Sequence, residues 1–143
     1  MAGMTEPGLK VLIVEDQFLI AKQVEMVVSA AGHQVVGIAG TFGEACQMAM
    51  ATDPDVAFVD LSLADGITGE AVGQFIKETC QTQIVYTTAN VRRLPTDLSG
   101  ALGVIEKPFT KGGLVAALVY IAAIIRNRRL PETVPSSLRL APL

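Results

Sequence analysis

The sequence predicts an α/β domain in which helices cover both faces of a parallel sheet. Short apolar runs alternate five times with longer helical patterns, and these runs are apolar throughout rather than alternating with polar residues. A strand that is apolar on both sides belongs in a sheet buried on both faces, as parallel sheets are. At 143 residues the chain is long enough for one such domain with a sizeable core.

The predicted strands each end in polar or glycine-containing segments. They are "KVLIVED" (10–16), "QVVGIA" (34–39), "DVAFVD" (55–60), "QIVYTT" (83–88) and "GVIE" (103–106). A stripe from Ile20 to Ala31 predicts the first helix, Thr41 and Glu44 have capping-box spacing before the second, and a third follows Asp60. Pro95 interrupts the region of the fourth helix, which we expect to be short or irregular.

Composition limits the classes of function. The net charge of −3 provides no basic field for nucleic acid, and we expect no nucleic-acid partner. The longest apolar stretch, Leu114 to Ile125, is shorter than the roughly 20 residues of a membrane span. The N-terminus lacks the apolar core of a signal peptide, and the two cysteines have no metal-binding or redox spacing. We therefore expect a cytoplasmic protein without a membrane partner.

The last helix, expected from about residue 113 to 129, is apolar nearly all round. A helix on the outside of a sheet normally has a polar outer face. Two explanations stay open for Leu114 to Ile125: the helix forms a homodimer seam or docks a partner, or the C-terminal tail covers it. We expect an N-terminal arm over 1–8, a folded domain over 9–130 and an irregular, proline-containing tail over 131–143, with no output domain after residue 130.

Acidic, hydroxyl and basic side chains follow the predicted strands. Ligands bind at the carboxyl ends of parallel strands, where the strand order reverses. In a sheet ordered 2-1-3-4-5 that point lies between strands one and three, so Glu15, Asp16 and Asp60 would converge there. Close carboxylates need a cation, and Mg²⁺ prefers oxygen ligands. A carboxylate beside Mg²⁺ can attack a phosphoryl group, with Thr88 and Lys107 stabilising the phosphoryl oxygens.

The chain resembles the receiver domain of two-component response regulators from about residue 9 to 129. The matching segments are "VLIVED", "DVAFVDLSLADG", "YTTA" and "EKPF", in that order. The resemblance implies a flavodoxin-like fold with strand order 2-1-3-4-5, and a single-domain response regulator that a sensor histidine kinase phosphorylates so that its affinity for a downstream protein changes. The loop "LADGITGE" is similar to that of receivers in general-stress-response or stand-alone signalling.

The resemblance also implies residue roles. Asp60 would be the phosphoacceptor, and Asp16, Asp60 and the backbone carbonyl of Ser62 would bind Mg²⁺, with Glu15 acting mainly through water. Thr88 would be the switch hydroxyl, and Lys107 the phosphate-binding lysine before Pro108. Ala89 matches the small residue that leaves the site open, and Ser62 and Asn90 flank the site where family members tune hydrolysis.

The chain departs from the family pattern at three positions. Val104 stands where receivers commonly have an aromatic that swings inward on activation, Ala64 replaces a usual proline, and Pro95 weakens the fourth helix. Switching through an aromatic at Val104 is therefore not expected, although Thr88 could still move the loop that follows it.

Other functions stay open at this point. The chain could be a phosphate sink for a shared kinase, or a phosphatase with Asp60 as nucleophile, although such enzymes usually carry a second Asp where this chain has Ser62. A flavin-binding module is disfavoured, because the chain has no Ser/Thr-rich phosphate-binding loop after the first strand. We expect a phosphoacceptor rather than an enzyme, and we expect Arg92 and Arg93 to be solvated.

Overall fold

The computed structural model describes residues 7–142, which form a single six-stranded sheet with helices on both faces. The strands are β1 (Lys10–Val14), β2 (Gln34–Ala39), β3 (Val56–Asp60), β4 (Gln83–Thr88), β5 (Gly103–Glu106) and β6 (Leu138–Leu140). The helices are α1 (Phe18–Ala30), α2 (Phe42–Thr52), α3 (Gly69–Thr79) and α4 (Lys111–Ile125). The predicted α/β class is confirmed.

The first five strands are parallel, and their spatial order is β2-β1-β3-β4-β5, as predicted. Helices α1 and α4 pack on one face of this sheet, and α2 and α3 on the other. The central strand β3 is buried at every residue, which explains why its sequence has no polar alternation. Residues that end β1 and β3 therefore meet between these two neighbouring strands.

The segment between β4 and β5 has no α-helix. Two 3-10 turns, Val91–Arg93 and Leu98–Gly100, take its place, and Ser99 inside the second turn has a positive φ of 52°. Pro95 lies between the turns, where its ring prevents a continuous helix. The expectation of an irregular fourth helix is confirmed.

The tail differs from the irregular chain that we predicted for 131–143. Leu138–Leu140 forms β6, which pairs antiparallel with β5 and makes a sixth strand at that edge. Leu138 is buried in the core shared with α4, and Ser137 Oγ donates a hydrogen bond of 2.7 Å to the Gly113 carbonyl. The strand forms because β5 would otherwise leave its backbone groups unpaired at the edge. Residues 1–6 of the predicted arm, and residue 143, lie outside the described residues.

Candidate phosphoryl-transfer site

Three carboxylates meet where β1 and β3 end. Glu15 and Asp16 directly follow β1, and Asp60 is the last residue of β3. One oxygen of each lies within 4.8 Å of the others. Glu15 and Asp60 are 5% and 6% exposed, whereas Asp16 is exposed at the surface. The structure thus brings together the three acids that the sequence placed at one site.

Lys107 joins this cluster from the end of β5. Its Nζ lies 2.7 Å from Glu15 Oε1 and 3.0 Å from Asp60 Oδ2. Burial by itself would lower the pKa of Lys107, but the hydrogen bonds to Glu15 and Asp60, together with their charges, raise it above the usual value. The lysine is therefore a cation at neutral pH. The following peptide bond, to Pro108, is cis.

Glu15 is held in a less favourable environment. Burial raises the pKa of Glu15, and hydrogen bonds from Lys107 and from the Gln17 backbone N–H, at 3.1 Å, offset this only in part. The negative charge of Asp60 raises it further. Glu15 and Asp60 therefore share the charge of one lysine. An additional cation at this position would stabilise the ionised form of both carboxylates.

The Thr88 side chain is bonded to the loop that follows β4. Its Oγ1 accepts a hydrogen bond of 3.0 Å from the Asn90 N–H and lies 3.3 Å from the Asn90 carbonyl, to which it can donate. Ala89 and Asn90 are exposed, and both line the same cavity as Asp60. The Thr88 hydroxyl therefore anchors the loop through the Asn90 backbone, and its expected role as a switch stays a prediction.

Val104, the position without the usual aromatic, is 1% exposed in β5. It lies in register with Tyr86 of β4, whose hydroxyl donates a hydrogen bond of 3.3 Å to the Glu70 carbonyl of α3. A valine packed in this core has no large ring that could move between the surface and the interior. Movement of Thr88 and the loop after it stays a prediction.

Ser62 and Arg93 form a contact that the sequence did not predict. The Ser62 N–H donates a hydrogen bond of 3.3 Å to Asp60 Oδ1, and Arg93 Nη1 donates one of 3.3 Å to Ser62 Oγ. Arg93 is exposed, as expected, and its guanidinium also contacts Ser62 at the rim of the site. A basic residue five positions after Thr88 was the available signal. Nothing in the sequence, however, indicated that the turn would point it at Ser62.

A cavity of about 520 Å³ opens above Asp60. Polar residues make up most of its lining, and Ile20 of α1 and Pro108 and Phe109 after β5 add apolar surface. The lining residues are Gln17, Ile20, Gln23, Asp60, Ser62, Thr88, Ala89, Asn90, Arg93, Lys107, Pro108 and Phe109. The carboxylate is therefore reachable from solvent although Asp60 itself is buried. A small anionic group fits this volume and meets two cationic side chains.

The donor set fits a hard divalent cation. Three carboxylates and one lysine leave two uncompensated negative charges, and all three acids offer oxygen ligands. The predicted role of the Ser62 carbonyl as a fourth ligand stays a prediction. Among residues 7–142, no helix combines the length and apolar character needed to cross a bilayer.

Comparison with known proteins agrees with this geometry. The family model described as response regulator receiver domain matches residues 11–119. The phyllosphere-induced regulator PhyR of Methylorubrum extorquens is 34% identical over 112 residues, which is 76% of this chain and 42% of that protein. The chain thus spans less than half the length of this curated relative.

Two solved structures extend the comparison. The receiver domain of Erythrobacter litoralis PhyR superposes with a TM-score of 0.72 at 26% identity, covering 89% of this chain and 97% of that one. Bartonella quintana PhyR, in complex with the anti-sigma factor NepR, gives a TM-score of 0.53 at 35% identity, covering 55% of this chain and 33% of that one. With the acidic cluster, the lysine and the matching sheet order, these similarities show that the chain belongs to the response regulator receiver family.

Proposed function

We propose that this chain accepts a phosphoryl group on Asp60 from a sensor histidine kinase, with Mg²⁺ bound, and that the modification changes its affinity for another protein. The observation that carries the proposal is the contact of Lys107 Nζ with Asp60 Oδ2 at 3.0 Å, inside the cluster that includes Glu15 and Asp16. Buried charges of this kind cost desolvation and are weak evidence for stability. Their grouping in an open cavity favours a chemical role.

In the proposed transfer, a carboxylate oxygen of Asp60 attacks the phosphorus of a phosphohistidine. A phosphorus–oxygen bond forms and the phosphorus–nitrogen bond breaks. The electron pair of the broken bond stays on the imidazole nitrogen, which takes up a proton. Lys107 neutralises charge on the phosphoryl oxygens. Glu15, Asp16, Asp60 and the Ser62 carbonyl would hold Mg²⁺, which supplies further positive charge at these oxygens.

Thr88 provides a route from the phosphoryl group to the protein surface. Its hydroxyl now bonds the backbone of Asn90. If the hydroxyl turns to bond a phosphoryl oxygen, the loop from Ala89 to Arg93 loses this anchor and changes position. Residues Ala89 to Arg92 of that loop line a second cavity, together with Glu106 of β5 and Arg139 of β6. We propose that a partner detects the change at this surface.

The downstream partner in this proposal is a protein. Bartonella quintana PhyR was crystallised with the anti-sigma factor NepR, and this chain resembles PhyR over its receiver segment. The proposal includes a cytoplasmic location, in keeping with two cysteines, Cys46 and Cys80, that are both free. In this proposal the chain is a phosphoacceptor and does not turn over a substrate. The proposal includes no nucleic-acid or membrane partner.

The test is intact-mass measurement after incubation with a small acyl-phosphate donor. We expect one phosphoryl increment that needs Mg²⁺ and is lost in Asp60→Asn. The matched control is Asp65→Asn, because Asp65 is an exposed acid in the loop after β3, outside the cluster. An increment that persists in Asp60→Asn, or none in wild type with either this donor or a phosphorylated kinase, would contradict the proposal.

Two further measurements separate the alternative functions. Steady turnover of a phosphomonoester that Asp60→Asn abolishes would indicate a phosphatase. Phosphotransfer from a kinase without a protein that prefers the phosphorylated form would indicate a phosphate sink. A partner captured by wild type with beryllofluoride, but not by Asp60→Asn, is the result that we expect.

A further inference from the structure

Arg93 lies at the rim of the cavity above Asp60. Among residues 7–142, no other arginine lines this cavity. It ends the 3-10 turn Val91–Arg93, and its side chain reaches back across the cavity to Ser62. Ser62 in turn contacts Asp60 through its backbone N–H. One residue, Ser62, therefore links the guanidinium to the carboxylate that would carry the phosphoryl group.

Even with Mg²⁺ bound as proposed, Lys107 and the metal would leave a phosphorylated Asp60, together with Glu15 and Asp16, with an excess negative charge. Lys107 is the cation in contact with the acids, and it is already shared between Glu15 and Asp60. Phosphorylation replaces a single negative charge with a phosphoryl group that carries up to two. A guanidinium stays charged at every working pH, and its donors match phosphoryl oxygens in pairs.

From this arrangement we propose that Arg93 is a phosphoryl-binding residue, a second cation besides Lys107, which exchanges the Ser62 hydroxyl for a phosphoryl oxygen. This inference rests on the function proposed above and adds a residue to it. Ser62 Oγ is a neutral acceptor at 3.3 Å, so Arg93 gives up a weak contact for a charged one.

The turn that carries Arg93 is fixed at both of its ends. Asn90 is anchored by Thr88 Oγ1, and Leu94 is 8% exposed with its N–H bonded to the Val91 carbonyl. If Thr88 turns towards the phosphoryl group, the first anchor is released while Leu94 stays packed. Arg93 can then move towards Asp60 without unfolding the turn, so both residues would engage the same group.

Arg92 provides a matched control inside the same turn. It lines a different cavity, together with Glu106 and Arg139, and not the one above Asp60. Its substitution removes the same charge at the neighbouring position. A difference between the two arginines therefore reports the direction of the side chain rather than the net charge of the loop.

The experiment measures binding of beryllofluoride, a stable phosphoryl analogue, to the full chain with Mg²⁺ by fluorine NMR. We expect Arg93→Ala and Arg93→Gln to bind it about three- to tenfold more weakly, as loss of one partly exposed charged hydrogen bond implies. Arg93→Lys should retain part of the affinity, because it keeps the charge but not the fork. Arg92→Ala should bind as wild type does, and thermal unfolding without ligand verifies that each variant is folded.

Three results would overturn the role of Arg93. One is wild-type affinity in Arg93→Ala. Another is an equal loss in Arg92→Ala, which would indicate a general effect of charge. The last is full affinity in Arg93→Gln, which can bond Ser62 but has no charge. If wild type binds no beryllofluoride and takes up no phosphoryl group, the proposed function itself fails and this inference fails with it.

Discussion

Lys107 has a structural role in this molecule in addition to the chemical role proposed above. Glu15 and Asp60 are both nearly inaccessible to solvent, and Lys107 Nζ contacts each of them. Burial raises the pKa of Glu15, so its ionised form is costly in the folded state. Without the lysine, two buried carboxylates would face each other with no ion pair to a basic side chain among residues 7–142.

We predict that Lys107→Met lowers the free energy of unfolding by about 1–3 kcal/mol in metal-free buffer, because it leaves buried charges unpaired. Added Mg²⁺ should restore part of this loss, since it places positive charge among the same acids. Urea unfolding with and without Mg²⁺ measures both effects.

Lys111→Met is the control for this substitution. Lys111 is exposed at the start of α4, and its replacement should change the free energy of unfolding by no more than about 0.5 kcal/mol. Equal losses in the two variants would contradict a specific role of Lys107 in holding the acidic cluster together.

The residues of the site differ in how far the sequence could predict them. Asp60 ends β3 and Lys107 directly follows β5, so the parallel sheet places both residues at the same edge, where the long lysine side chain can reach across β4. The contact between Arg93 and Ser62 joins side chains 31 residues apart through an irregular turn. No hydrophobic period describes such a turn, and the direction of an exposed side chain depends on the finished fold.

The strand β6 is the element that the sequence did not predict. Its three residues alternate in burial, with Leu138 buried, Arg139 exposed and Leu140 half-buried. Three residues are too few for a reliable period-2 pattern, and Pro131, Pro135 and Pro142 surround them. The strand depends on an unpaired neighbour, β5, which only the folded sheet provides.

We predict that Leu138→Ala lowers the free energy of unfolding by about 2–4 kcal/mol, because a buried leucine is replaced by a cavity. The matched control is Leu130→Ala, since Leu130 is 44% exposed in the same tail. Its replacement should cost less than about 0.5 kcal/mol. Chemical denaturation of the two variants gives the comparison, and similar values would argue against docking of β6 in solution.

At the scale of the whole molecule, exposed apolar side chains concentrate on one face of the sheet. Helices α1 and α4 pack on that face, and five large apolar side chains on them remain exposed: Phe18, Leu19, Met26, Val115 and Val119. The tail contacts the start of α4 at Gly113 but leaves Val115 and Val119 at 39% and 55% exposure. Cover by the tail is therefore only partial.

We propose that the outer face of the helix from Leu114 to Ile125 forms a homodimer, and we predict that Val119→Glu shifts the chain towards monomer. A charge placed in an apolar seam is costly. Sedimentation velocity over a range of concentrations measures the effect. Val134→Glu is the control, because Val134 is similarly exposed in the tail. Monomeric wild type at every concentration would contradict the dimer.

The position of β6 also has a consequence for local unfolding. The strand is short, lies at an edge, and pairs with β5 alone among residues 7–142. Beyond the strand, the Ala141 N–H donates to the Leu102 carbonyl. Few hydrogen bonds must break for this segment to leave, whereas β3 cannot open without its neighbours on both sides. We therefore expect amide hydrogens of β6 to exchange with solvent well before those of the strand that carries Asp60.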